Sequence, residues 1–317
     1  MESLSKNRLD AEQINALTQY AFGQPAEAVT ENHIGEFSAL YVVKLAEKEV
    51  VLKVAPKDTV RVLRYEKHAM QTEVEALRVV RANTSVPVPA VLFYDATKSQ
   101  CDFSYVFMEK MDGENLNSLS SNLSAAQSRQ ILLQLGAFNR QINGIEHDTF
   151  GSLVRANQRY GDWRTAFTTM CLDVLEDGKD AGAKLPISYD TIWDTVDSYA
   201  YACDDVKRPK LVHWDLWSGN VLIQGERITG ILDFERSIYA DPLMEYFFRK
   251  EAISADFCVG YGIDLSALGQ NARIRLALYD LYLALIRVVE YHYREYGRSE
   301  YSWREEGLIA AYQAFEI

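Results

Sequence analysis

Residues 211–223 read "LVHWDLWSGNVLI". Two strand-like apolar runs flank a segment that carries His213, Asp215 and Asn220 at the spacing H-x-D-x-x-x-x-N. A packed core gains nothing from three such groups, because each must be hydrogen-bonded or solvated. A loop at the mouth of a cleft, held between strand ends, can use all three.

The next residues extend the pattern. "VLIQGERITGILDF" reads as a hairpin with Gly225 in its turn. One strand starts after Asn220 and the other ends at Asp233, so both residues are expected at the same end of the pair. Phosphoryl transfer to a hydroxyl needs a proton acceptor near the nucleophile and oxygen ligands for Mg²⁺ against the phosphates. Asp215 is the candidate base, and Asn220 and Asp233 are the candidate metal ligands. His213 is read as support for the loop.

The first half supplies a nucleotide grip. "FSALYVVKL" and "EVVLKVA" are strand-like and are split by "AEKE". Alternation puts Val51 and Lys53 on one face, with Leu52 and Val54 opposite. A lysine in an apolar strand costs free energy unless it is paired. Residues 61–82 read as one helix whose apolar face also carries Glu66 and Glu73, and either carboxylate offers the partner. Such a bridge would present Lys53 to phosphates and leave Val51 to roof the base.

"VPVPAVLFYD" is an extended edge segment, because Pro87 and Pro89 forbid helix. "FSYVFMEKM" is a further strand. From there the chain turns mostly helical, over residues 125–142, 160–206 and 241–296. Asp241 and Pro242 read as the N-cap and first-turn proline of a helix "LMEYFFRK". The expected fold class is α+β and bilobal. A nucleotide-binding N-lobe over residues 1–110 has a small antiparallel sheet and one main helix. A mostly helical C-lobe over residues 111–317 holds the catalytic loop and the acceptor site.

Composition narrows the partners. The chain has 317 residues, with 45 acids against 33 Lys plus Arg and a net charge of −12. That balance lacks the basic footprint of a nucleic-acid binder. The four cysteines form no C-x-x-C pair and read as reduced thiols of a cytoplasmic protein. The apolar run "LALYDLYLALIRVV" is broken by Asp280 and Arg287, so no membrane span is expected. A cleft lined by one sign of charge concentrates the opposite sign. Asp162, Glu235, Asp280 and Glu290 are therefore candidates for contacting an amine-bearing acceptor.

"HWDLWSGN", the downstream "LDF", and a strand lysine followed by a helix glutamate together resemble the aminoglycoside phosphotransferase and choline kinase superfamily, over roughly residues 30–300. "HxDLWSGN" also looks like the fructosamine kinase branch, and "RITGILDFERSIYADPLMEYFFR" like a common bacterial small-molecule kinase pattern. The resemblance implies a protein-kinase-like fold and an ATP- and Mg²⁺-dependent kinase for a hydroxyl on a small molecule, with GTP as the alternative donor. It makes Asp215 the base, Asn220 and Asp233 the Mg²⁺ ligands, Lys53 the phosphate contact and Glu73, rather than Glu66, its partner. Met108 would precede the hinge, and Glu109 and Met111 would meet adenine through their backbones. The phosphate loop "HIGEFSALY" departs from the protein-kinase form with its single Gly35, and Ser38 would substitute a hydroxyl.

Aminoglycosides are the leading acceptor class, with fructosamine, choline or homoserine as alternatives. A protein kinase would need a longer segment between Asp233 and Asp241, and Trp214 replaces the arginine that pairs with an activation-loop phosphate. A non-catalytic nucleotide-binding module would not need the full set of chemical residues.

Overall fold

The computed structural model describes residues 6–32, 37–294 and 301–315. The chain opens with α1 (Ala11–Phe22), started by an Asp10–Gln13 capping box and closed by Gly23 at φ +69°. Then come β1 (Ala28–Asn32), β2 (Ala39–Lys44), β3 (Glu49–Val54), α2 (Ala69–Asn83), β4 (Val91–Asp95) and β5 (Tyr105–Glu109). The five strands form one antiparallel sheet in the order β1-β2-β3-β5-β4.

Strand alternation divides this sheet between two cores. Val50, Leu52 and Val54 join Phe107 and the α1 residues Ile14 and Leu17 in a small cluster on one face. Val51, Val106 and Met108 face the other way. They join Val74, Leu77 and Val80 of α2 in a larger core that continues into the rest of the molecule. The strand β1 ("AVTEN") escapes the sequence reading because it is a half-exposed edge with little apolar content.

The main helix is shorter than its apolar periodicity suggests. It starts at Ala69, behind His68 at φ +69°. Residues Arg64–Glu66 form a separate 3₁₀ turn in which Glu66 accepts the Leu63 N–H at 2.9 Å. Arg64 is drawn to Asp177 and Asp180, and Glu66 to Arg294. These ties to distant elements outweigh local helix propensity.

The second part begins with β6 (Glu114–Asn115), α3 (Leu116–Leu119) and α4 (Ala125–Ile142). Next come β7 (Phe150–Ser152), β8 (Arg159–Tyr160), α5 (Trp163–Ala181) and α6 (Tyr189–Tyr199). The strands β9 (Lys210–Val212), β10 (Val221–Gln224), β11 (Arg227–Ile231) and β12 (Ile238–Ala240) follow. The helices α7 (Ala255–Tyr261), α8 (Gln270–Arg294) and α9 (Tyr301–Gln313) end the described chain. β10 and β11 form the expected hairpin, with Gly225 at φ +60° in the turn. β9 and β12 pair in a sheet of order β8-β7-β12-β9. The segment "LMEYFFRK" is not a helix but two 3₁₀ turns, Pro242–Met244 and Tyr246–Phe248. Asp241 does cap the first of them, and it also holds Arg275 at 2.7 Å and Tyr279 at 2.8 Å. Those contacts fix a course that continuous helix could not follow. Among the described residues no helix is long and apolar enough to cross a membrane.

Candidate active site

Lys53 comes from near the end of β3 and Glu73 from the second turn of α2. Both are almost fully buried, and they meet at 2.6 Å. Two further carboxylates close on the same ammonium, Asp233 at 2.9 Å and Glu235 at 3.0 Å. Burial alone would pull the Lys53 pKa down, but Asp233, Glu235 and Glu73 outweigh it and hold it well above the usual lysine value. Burial likewise pushes Asp233 up, but Lys53 wins and leaves it below the usual carboxylate range. Glu235 goes the other way. Burial and the Asp233 charge raise it to about 7 despite Lys53.

Opposite this cluster lies the loop of His213, Asp215 and Asn220. Asn220 Nδ2 donates to the Asp215 carbonyl at 2.8 Å and to its carboxylate at 3.3 Å. The Asp215 N–H points to His213 Nδ1 at 3.3 Å, and His213 Nε2 meets the Leu232 carbonyl at 2.9 Å. A ring nitrogen facing a carbonyl must donate and one facing an N–H must accept, so this neutral imidazole carries its proton on Nε2. The Leu232 N–H donates to the Asn220 carbonyl at 2.9 Å. Asn220 and Asp233 are thus held at one end of the hairpin, as its two strands require. Burial raises the Asp215 pKa, with Arg236 opposing and Asp233 reinforcing.

The loop backbone is strained and braced. Trp214 stands at φ +67° and Asp233 at φ +64°, a region that costs a non-glycine residue free energy. Glu245, fully buried, accepts the N–H groups of His213 at 2.8 Å and Trp214 at 3.1 Å. It also accepts the side-chain amides of Asn139 and Asn143. Arg249 Nη2 donates to the Trp214 carbonyl at 2.9 Å, and burial brings its pKa down to about 10. The Trp214 indole stacks on Tyr282. Sequence reasoning missed Glu245 and Arg249. The signal was present, since both are charged residues inside the apolar run "MEYFFRK", the same anomaly that singled out Lys53.

The nucleotide-contact candidates are scattered along the sheet. Val51 pairs with Met108 across β3 and β5. The Glu109 N–H is taken by the Ala90 carbonyl at 2.9 Å, which leaves the Glu109 carbonyl for any ligand contact. The Met111 side chain packs near Gly230 of β11. Ser38 is buried just before β2, and Gly35 lies outside the described residues.

The acceptor candidates are not gathered in one place. Asp162 is the N-cap of α5, and its two oxygens accept from the N–H and hydroxyl of Thr165. Glu235 belongs to the Lys53 cluster, because the 3₁₀ turn Phe234–Arg236 turns it there. Glu290 is engaged by Arg236 at 3.3 Å and Arg294 at 2.7 Å. Among the described residues Asp280 accepts one long contact, from the Lys250 N–H at 3.4 Å, and burial raises it to about 6.

Glu73, Asp233 and Glu235 bring carboxylate oxygens within 4.8 Å of one another. Oxygen donors at that spacing suit a hard divalent cation. Among the described residues the Asn220 side chain donates through its amide nitrogen, and no hydrogen bond engages its amide oxygen.

Comparison with known proteins follows the same lines. A protein of Vibrio vulnificus named as a ketoamine kinase is 24% identical over 271 residues, covering 82% of this chain and 86% of the relative. A solved structure from Haemophilus somnus, assigned as a fructosamine-3-kinase, superposes with a TM-score of 0.69 at 16% identity, covering 95% of this chain and 97% of the other. The aminoglycoside phosphotransferase APH(4)-Ia superposes with a TM-score of 0.68 at 18% identity, covering 96% and 99%. A mutant of that enzyme has been solved with AMP-PNP and hygromycin B. The fold is therefore the α+β kinase-like one of these structures. The model of the phosphotransferase enzyme family matches residues 30–267, about three quarters of the sequence, and the chain belongs to that family.

Proposed function

We propose that this phosphotransferase moves the γ-phosphoryl group of ATP, as its Mg²⁺ complex, to a hydroxyl of a small amine-bearing molecule. The observation that carries the reading is one buried lysine held between Glu73 and Asp233, facing a loop in which Asn220 binds Asp215. Lys53 then contacts the phosphates and Glu73 keeps its ammonium in place. Asp215 takes the proton from the acceptor hydroxyl as its oxygen bonds to the γ-phosphorus and the bond to the leaving ADP oxygen breaks. Asn220 and Asp233 hold the metal, with Glu235 close enough to join them. A bound Mg²⁺ supplies charge neutralisation along the phosphates. Val51 covers the base, the Glu109 carbonyl and Met111 backbone meet its edge, and Ser38 sits at the phosphate loop. The division into a nucleotide lobe over 1–110 and an acceptor lobe over 111–317 is part of this proposal.

For the acceptor, the ketoamine kinase relatives and the excess of acids both favour a polyhydroxyl compound that carries nitrogen. Ketoamines and aminoglycosides head the list. A coupled ADP-release screen over ketoamines, aminoglycosides, choline, homoserine and neutral sugars tests it. An amine acceptor should show a KM that rises with ionic strength. A neutral preferred acceptor with a salt-independent KM would refute the amine, and no ADP release with any acceptor would count against the kinase reading itself.

A further inference from the structure

Beside the Lys53 cluster, and sharing Glu235 with it, the structure contains a polar cavity. It has about 60 Å³ of room, several times the ~10–15 Å³ that one ordered water requires. Its walls come from α2, β7 with the turn after it, α5 and the start of β12. Trp214, Glu235 and Arg236 close one side, and the last two spend their charges elsewhere, Glu235 on Lys53 at 3.0 Å and Arg236 on Glu290 at 3.3 Å.

Its polar groups are only partly used. Arg155 enters from the turn after β7 and spends one nitrogen, Nη1, on the Arg64 carbonyl at 3.2 Å. Its Nε is buried with no partner. Ser237, 4% exposed, also lines the cavity and leaves its hydroxyl without a partner. Asp173 of α5 contributes a carboxylate. Arg155 and Asp173 are near enough to feel each other's charge, yet they form no ion pair among the described residues. Burial lowers the Arg155 pKa and raises that of Asp173, so neither charge is fully compensated by its surroundings. Buried polar groups are normally satisfied, and a cavity that gathers several incompletely used ones, with opposite charges at two points, is set up for a ligand rather than for packing.

We propose that this cavity binds a small zwitterion, a molecule carrying both a carboxylate and an ammonium group, such as a free α-amino acid. The Arg155 guanidinium takes the carboxylate, for which its planar fork is suited. Asp173 takes the ammonium. Ser237 and Thr72, which is also buried in the wall, serve the remaining oxygens. A simple anion would leave Asp173 unpaired and repelled, and a simple cation would do the same to Arg155. The demand for both charges is what distinguishes this site from the acidic cluster around Lys53. The inference does not rest on the kinase reading, since binding needs neither nucleotide nor turnover.

Isothermal titration of the nucleotide-free protein tests it, with glycine, alanine and serine as probes and acetate, methylamine and alaninamide as single-charge controls. The zwitterions should bind and the controls should bind at least ~10-fold more weakly. Arg155→Met and Asp173→Asn should each weaken zwitterion binding by about 10- to 100-fold. If a variant fails to fold, the control panel on the wild-type protein still decides. Absence of heat with every amino acid, or equal affinity for the single-charge controls, would overturn the proposal. Adding ATP afterwards separates two sources of the ligand. ADP release with serine but not alanine marks the zwitterion as acceptor, whereas binding without ADP release marks a second ligand. Both results uphold the site.

Discussion

The Glu245 carboxylate receives the backbone N–H of Trp214 at 3.1 Å while Trp214 holds a left-handed φ of +67°. The contact crosses 31 residues of sequence and fixes the residue just before Asp215. Replacing Glu245 by Ala would leave four N–H donors unsatisfied in a dry interior and release the strained turn. The expected cost is at least ~3 kcal/mol, read as a lower denaturant midpoint. Glu245→Gln keeps the shape but turns an N–H₂ toward N–H donors, so it should also destabilise. A variant as stable as the wild type would show that the carboxylate does not brace the loop.

Asp215→Asn keeps the hydrogen-bonding outline of the loop and removes the proton acceptor. Under the proposed mechanism kcat should fall by roughly 10²–10⁴-fold, with nucleotide affinity nearly unchanged. Steady-state kinetics beside nucleotide titration provide the check. Near-normal turnover would remove Asp215 from the chemistry.

Lys53→Met leaves Glu73, Asp233 and Glu235 facing one another without a cation. Nucleotide affinity should drop and kcat/KM should fall by about 10²–10³-fold. Manganese should bind the nucleotide-free variant more tightly than the wild-type protein, because the ammonium no longer occupies the space between the carboxylates. Unchanged metal affinity in calorimetry would argue against a shared cation position.

Asp280 gives a pH signature. Burial moves its carboxyl from 3.8 to about 6, against the Lys250 N–H, a difference worth ~3 kcal/mol between the protonation states. The folded protein holds this proton more tightly than the unfolded chain does. Its favourable contribution is therefore complete below about pH 4 and is lost as pH rises to about 6. Asp280→Asn should flatten the stability profile across that window and raise stability at pH 7. If Asp280 also meets a cationic acceptor, the same variant should raise the acceptor KM.

Lys53, Asp215, Asn220 and Asp233 stand out in the sequence because each breaks a local apolar pattern or sits at a strand end, whereas the pattern left Glu66 and Glu73 equally open as the partner of Lys53 and only the family resemblance chose between them. The hairpin was legible through Gly225, and α4 through its periodicity. The late start of α2 was not, since Arg64 and Glu66, just ahead of His68 at φ +69°, are held by residues more than a hundred positions away. Asp162 carried a readable capping signal, with Thr165 three residues on, that the argument from overall charge overrode. Glu235 was visible as an acid, but its direction depends on the 3₁₀ turn after Asp233.

That stretch from Asp233 to Asp241 has one more consequence. Phe234–Arg236 is wound into a turn, Ile238–Ala240 is bonded on both sides by β7 and β9, and Asp241 is tied to Arg275 and Tyr279. A molecular switch requires a segment with two resting places, and here each residue already has its anchor. Under the proposed mechanism, the segment that follows Asp233 therefore needs no covalent mark to set it in place.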